Sequence, residues 1–307
     1  MDSIMRIKSK FSTILWMMLI IILFYTNAFS MSKNCIKGPS YARFNNINIY
    51  YEQYGNGENA IVFIHGWSCD RTFWKYQLPV LKNQYHLIAL DLPGYGLSDK
   101  PDNIEYSLDF FADAVNSVLE HARINKVLLI GHSLGFSIIR QFVLKYPEKC
   151  FGIVNVDGVY LFAPKDQNEY TAWQNGNIKI IQGFKNKNRK EYISNFINSF
   201  FCGATPPELR KEIKSKMLCC TPDYVTISTM DKLIDPEVWK SYPVINIPML
   251  SIYAKAKDIP PDNEEKLRNV FPNVEYHEWE AGHFIMMEQP ERFNMLLLKF
   301  VKKYYKK

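Results

Sequence analysis

Gly131-His132-Ser133-Leu134-Gly135 is the pattern with the most specific chemical meaning in this chain of 307 residues. A serine flanked at two places on either side by glycine suits a tight turn, because glycines allow close backbone approach where a side chain would collide. The setting agrees: the apolar run Val127 to Ile130 precedes the motif. After it, Leu134, Ile138, Phe142 and Tyr146 recur at four-residue steps before Pro147, as on one face of a helix. A hydroxyl at such a turn stands at a helix N-terminus, where amide dipoles favour developing negative charge. Serine is a weak nucleophile at neutral pH, so this chemistry needs an imidazole to take its proton and a carboxylate to hold that imidazole. His86, His121 and His277 have no partner cluster, and the six cysteines fit no zinc spacing, so no metal is expected.

The elements that must position Ser133 alternate short apolar runs with amphipathic helices, which predicts an α/β fold with a mostly parallel sheet covered on both faces. Tyr41 to Phe44 and Ile47 to Tyr54, around Asn45-Asn46, read as an opening hairpin. Ala60 to Ile64, Tyr85 to Leu90, Lys126 to Ile130 and Phe151 to Val156 follow as buried strands. Ser107 caps a helix to about Ala122, whose Leu108, Phe111, Ala112, Val115 and Leu119 should face the sheet. From about Tyr160 to Tyr242 the alternation breaks into short helical patterns rich in Lys, Asn and aromatics, which reads as an insertion. It resumes with a strand at Met249 to Ala254, a helix at Asp262 to Val270, a strand at Val274 to Trp279 and a last helix from about Pro290 to Tyr304.

With these segments in place, the chain resembles the α/β-hydrolase superfamily, in its serine-nucleophile, esterase- or lipase-like members with a cap. Beside the serine turn, the likeness is carried by Ile64-His65-Gly66-Trp67 and by Asp91-Leu92-Pro93-Gly94-Tyr95-Gly96-Leu97-Ser98-Asp99. Ala281-Gly282-His283-Phe284, followed by Glu288-Gln289-Pro290-Glu291, completes it. The resemblance implies Ser133 as nucleophile, His283 as general base and then acid, and the backbone N–H groups of Trp67 and Leu134 as an oxyanion hole. It implies Asp258, in Lys255-Ala256-Lys257-Asp258-Ile259-Pro260, as the orienting acid, in the order Ser, Asp, His. Asp157, at the end of the run Phe151 to Val156, resembles an alternative acid position of some relatives. His65 is expected to shape the loop it lies in and His132 to flank the turn, neither reacting. Phe136 stands where many relatives have a second glycine, which alters packing behind the turn.

The implied organisation is a core of residues 31–159 and 243–307 and a cap of residues 160–242, whose Tyr160, Phe162 and Trp173 are expected to line a substrate pocket. The implied activity is hydrolysis of an apolar acyl ester, without cofactor, through an acyl-enzyme. Carbon–carbon bond hydrolysis, haloperoxidase-like perhydrolysis and a non-catalytic binding role are the alternatives. Serine at the turn disfavours relatives that place aspartate there. At 47% hydrophobic and 22% charged residues, with no long run of like charge, nothing reads as disordered or as a nucleic-acid arm. In residues 1–30, Arg6, Lys8 and Lys10 precede the uncharged apolar run Phe11 to Tyr25, and Ala28 and Ser30 place small residues before Met31. That layout predicts a cleaved signal and export, with a membrane anchor through residues 11–25 as the alternative. An exported chain can pair some cysteines, and Cys202 with Cys219 or Cys220 is the expected bridge, since adjacent Cys219 and Cys220 are poorly placed for each other.

Overall fold

Asn45 and Asn46 both take positive φ, 45° and 67°, as a tight two-residue hairpin turn requires. They join β1 (Lys37–Phe44) to β2 (Ile47–Tyr54) at one edge of an eight-stranded sheet. The computed structural model describes residues 37–160, 162–239, 243–255 and 259–305. Residues 1–30, with the signal and anchor expectations, lie outside them, as do Leu161 and Asp258.

The remaining strands are β3 (Asn59–Ile64), β4 (Leu87–Leu90), β5 (Lys126–His132), β6 (Cys150–Val156), β7 (Met249–Ala254) and β8 (Val274–Trp279), in the order β1-β2-β4-β3-β5-β6-β7-β8. β1, β2 and β4 pair antiparallel, and every pairing from β4 through β3 to β8 is parallel. The apolar runs therefore lie at the centre, where strands covered on both faces need apolar residues throughout. β4 is shorter than its apolar run because Tyr85 N–H still closes a turn on Leu81 O, at 3.1 Å. β5 runs longer than its run, through Gly131 and His132, and delivers Ser133 at its carboxyl end.

Helices α1 (Leu78–Leu81), α2 (Leu108–Ala122) and α3 (Leu134–Lys145) belong to the first half of the chain. Ser107 caps α2, its Oγ accepting from Phe110 N–H at 3.1 Å, worth about 1 kcal/mol. The face of α2 read from the sequence is buried, and it packs on α3 and β1. Among the described residues, four α-helices lie between β6 and β7: α4 (Gln167–Lys185), α5 (Arg189–Asn198), α6 (Pro207–Cys219) and α7 (Asp223–Leu233). Trp67 Nε1 donates to Thr226 O at 3.1 Å and Tyr95 Oη to Thr229 Oγ1 at 2.8 Å, fixing α7 against the loops at the carboxyl ends of the strands. Then α8 (Asn263–Val270), α9 (Ile285–Glu288) and α10 (Pro290–Tyr304) complete the fold. Among the described residues no helix is long and apolar enough to cross a membrane.

The cysteine expectation is corrected. Cys219 is bridged to Cys220, while Cys69, Cys150 and Cys202 keep free thiols. Cys202 precedes α6 and Cys219 is the last residue of it, so the two lie at opposite ends of a 13-residue helix about 20 Å long. The Cys202 Sγ instead meets Thr205 Oγ1 at 3.5 Å.

Candidate active site

Ser133 sits between β5 and α3 with φ 52° and ψ −119°, a backbone that a non-glycine residue adopts only when its surroundings hold it there. Three backbone bonds do so. Ser133 N–H donates to Val156 O at 3.1 Å, and Ser133 O accepts from Phe136 N–H at 3.0 Å and Val159 N–H at 3.2 Å. The flanking glycines are required by space. A Cβ on Gly131 would lie 2.6 Å from the Gly135 carbonyl carbon, and one on Gly135 would lie 2.4 Å from Ile64 O. The ring of Phe136 is fully buried against Tyr160 and Phe271, and it fits because Gly158 has no side chain: a Cβ there would come within 2.3 Å of Phe136 Cβ.

The Gly66–Trp67 segment runs beside the serine, where a Cβ on Gly66 would stand 3.1 Å from Ser133 Cβ. Among the described residues, neither the Trp67 nor the Leu134 amide N–H has an acceptor within the protein. Both residues are buried, so two unengaged donors stand in a poorly solvated region next to a hydroxyl.

His283 follows β8, and its Nδ1–H donates to Asp157 Oδ2 at 2.5 Å. Asp157 follows β6 at φ 46°, with its N–H on Ile252 O at 2.7 Å and its Oδ1 accepting Ala254 N–H at 2.7 Å. The carboxylate that meets the imidazole is Asp157; Asp258, expected as the orienting acid, lies outside the described residues. The physical reason is that the left-handed turn after β6 swings the Asp157 side chain onto Nδ1, and that single N–H is then taken. An imidazole held this way has its Nε2 free to accept a proton.

The neighbouring histidines are structural. His65 Nδ1–H donates to Gly66 O at 2.8 Å and its Nε2 accepts Leu92 N–H at 3.0 Å, so both ring nitrogens shape the loop. His132 Nε2–H donates to His283 O at 3.0 Å, and its Nδ1, buried, has no partner. Burial holds both rings below the usual imidazole pKa, and for His132 the nearby His283 pushes further down. Both are therefore neutral in the folded state but can be protonated in the unfolded one. Stability should be full above the unfolded value of about 6.5 and fall as pH drops below it, by up to about 1.4 kcal/mol per pH unit for each ring. Urea midpoints at pH 7 and pH 5 check this: His132→Gln, which keeps a donor, should reduce the fall, and an unchanged or steeper fall would contradict the assignment.

The residues expected to line a pocket all pack against other rings. Tyr160 belongs to a buried cluster with Phe136, Trp239 and Phe271, Phe162 stacks beside Tyr160, and Trp173 meets Tyr170. Phe162 also lines a cavity, with Pro164, Lys165 and Lys266. The rings that lead from the insertion to His283 are Phe184 and Phe196, both on Trp67, and Phe200, whose centroid is 5.0 Å from Phe196 and 4.6 Å from the imidazole. In the sequence these three are among many aromatics of the insertion, and nothing in their spacing separates them from Tyr160, Phe162 and Trp173. No group of His, Cys, Asp and Glu suited to a metal occurs among the described residues.

Residues 59–290 match a family model described as alpha/beta hydrolase fold. An AB hydrolase superfamily protein of Bacillus subtilis is 26% identical over 264 residues, covering 83% of this chain and 95% of that one. A pimeloyl-[acyl-carrier protein] methyl ester esterase of Wigglesworthia glossinidia brevipalpis is 27% identical over 260 residues, covering 81% and 96%. Among solved structures, an esterase from Exiguobacterium antarcticum superposes with a TM-score of 0.75 at 21% identity, over 86% of this chain and 99% of that one.

Proposed function

The chain belongs to the α/β-hydrolase fold family, and on that premise we propose that it is a serine hydrolase of apolar acyl esters. The observation that carries the reading is the conjunction at one sheet edge: Ser133 in its strained turn, the Asp157–His283 bond, and two unengaged buried amides beside the hydroxyl. In this reading Ser133 Oγ attacks the acyl carbonyl while His283 Nε2 takes its proton. The oxyanion that forms is held by the N–H groups of Trp67 and Leu134, and loss of one such donor typically costs about a hundred- to a thousandfold in rate. The imidazolium, stabilised by Asp157, returns the proton to the departing alkoxide and leaves an acyl-enzyme. Water then repeats the sequence and frees the acid. The esterase named among the relatives supports ester chemistry.

The insertion α4 to α7 is proposed to act as the cap. Loops leaving the carboxyl ends of parallel strands share the edge that carries Ser133, and the aromatic series Phe184, Phe196 and Phe200 gives that edge an apolar wall suited to an acyl chain. A series of nitrophenyl esters of increasing acyl length tests both claims. Phe196→Ala opens the wall without touching Ser133 or His283. It should raise the kcat/KM ratio of long to short esters about tenfold, an ordinary size for pocket discrimination. Equal scaling of every ester would show that the wall does not select substrate.

A further inference from the structure

The histidine loop is fastened from two sides. Glu288, on α9, brackets His283: its Oε2 accepts Gly282 N–H at 2.8 Å and its Oε1 accepts Phe284 N–H at 3.3 Å. The amide between them, His283 N–H, donates to Phe200 O at 2.8 Å, at the turn that follows α5. The same Glu288 Oε2 accepts the hydroxyl of Thr205, at 2.9 Å, and Thr205 is itself buried in the connection between α5 and α6. Thr205 Oγ1 in turn accepts Cys202 N–H at 3.1 Å, and Arg210 donates from Nε to Thr205 O at 2.9 Å and from its guanidinium to Cys202 O, closing that connection on itself. Gly282 is where these groups converge: a Cβ on it would lie 2.5 Å from Glu288 Oε1, 2.8 Å from Phe200 O and 3.0 Å from Thr205 Oγ1. Glu288 belongs to the Glu288-Gln289-Pro290-Glu291 stretch that the sequence singled out by resemblance, yet the chemistry proposed above gives it no part.

We propose that Glu288 is a positioning residue that locks the His283 loop to the α5–α6 connection, so that the inserted helices set the geometry of the base as well as the shape of the pocket. It rests on the reading of His283 as the base of a serine hydrolase. One carboxylate serves four donors drawn from two separate parts of the chain, Gly282 and Phe284 on one side and Thr205 and, at 3.9 Å, the Cys202 thiol on the other, and a loop tied in this way holds the imidazole in one place relative to Ser133. If the carboxylate is removed, Gly282 and Phe284 lose their acceptor and Thr205 is detached, while the Asp157 bond to Nδ1 and the aromatic wall remain. Misplacing a catalytic group by about 1 Å costs about a hundredfold in rate.

The experiment compares the full chain with E288A, E288Q and T205V, using steady-state kinetics on nitrophenyl esters of several acyl lengths, the rate of fluorophosphonate labelling, and thermal unfolding. E288A should lower kcat and the labelling rate together by about a hundredfold, equally at every acyl length and with KM nearly unchanged. E288Q should recover most of the loss, because its amide oxygen can take the place of Oε2 and serve Gly282 and Thr205, giving up only the longer bond to Phe284. T205V removes the hydroxyl bond from the α5–α6 connection to Glu288, along with the acceptor of Cys202 N–H, leaves the Gly282 and Phe284 bonds in place and should fall between them; should E288A fail to fold, E288Q and T205V carry the comparison. Folded E288A or T205V with wild-type kcat, a loss confined to the unfolded fraction, or E288Q no better than E288A would overturn the proposal. Wild-type protein that neither turns over esters nor takes the label overturns the hydrolase reading itself, and the two failures are told apart by that control.

Discussion

Ser133→Ala is expected to lower ester turnover by about a millionfold, the scale seen when a serine nucleophile is deleted, and to leave the fold intact. The side chain makes no capping bond to α3, and the turn is held by backbone bonds to Val156, Phe136 and Val159 and by the close approach of Gly131 and Gly135. Removing one oxygen therefore deletes the proposed nucleophile without deleting a structural contact. Steady-state rates, read beside circular dichroism and thermal unfolding, test this. A folded variant that keeps more than about a thousandth of wild-type turnover would show that another group attacks, since loss of a triad member leaves only residual catalysis from binding and the oxyanion hole.

Asp157→Asn should cost about ten-thousandfold in kcat, for a reason that can be traced atom by atom. Ala254 N–H already holds Oδ1, so the oxygen of an asparagine would stay there and its amide nitrogen would face His283 Nδ1. The imidazole would then keep its proton on Nε2 and could not accept one from Ser133. Asp258→Asn is expected to change kcat by no more than a few-fold. If Asp258→Asn proved the more damaging, the orienting role would pass to it.

Much of the scaffold was legible because its signals are local. The apolar runs, the Ser107 cap, the Asn45-Asn46 turn and the glycines around Ser133 each state a requirement within a few residues, and each is met. The choice between two aspartates is not local. Both follow neighbouring strands, β6 and β7, and both keep the order Ser, Asp, His, so spacing cannot separate them. What separates them is a left-handed backbone at Asp157 that aims its carboxylate across the sheet edge, and although aspartate adopts that conformation more readily than most residues, both candidates are aspartates, so residue type does not tell them apart. The inserted helices were hard for a related reason. Their aromatics pack in three directions, with Tyr160 behind the turn, Trp173 on Tyr170 and Phe200 on His283, and helical periodicity states only that a face is apolar, not what it meets. The bridge between Cys219 and Cys220, too, depends on how α6 ends.

The central claim is that Ser133, activated by His283, forms the covalent bond to the acyl group. Peptide mapping by mass spectrometry after fluorophosphonate treatment tests it most directly. The account predicts one adduct, on the peptide containing Ser133, formed at least about a thousandfold more slowly in His283→Ala, as expected when a triad base is lost, and absent from Ser133→Ala. An adduct on another residue, or ester turnover by protein in which Ser133 stays unmodified and the label blocks nothing, would contradict it.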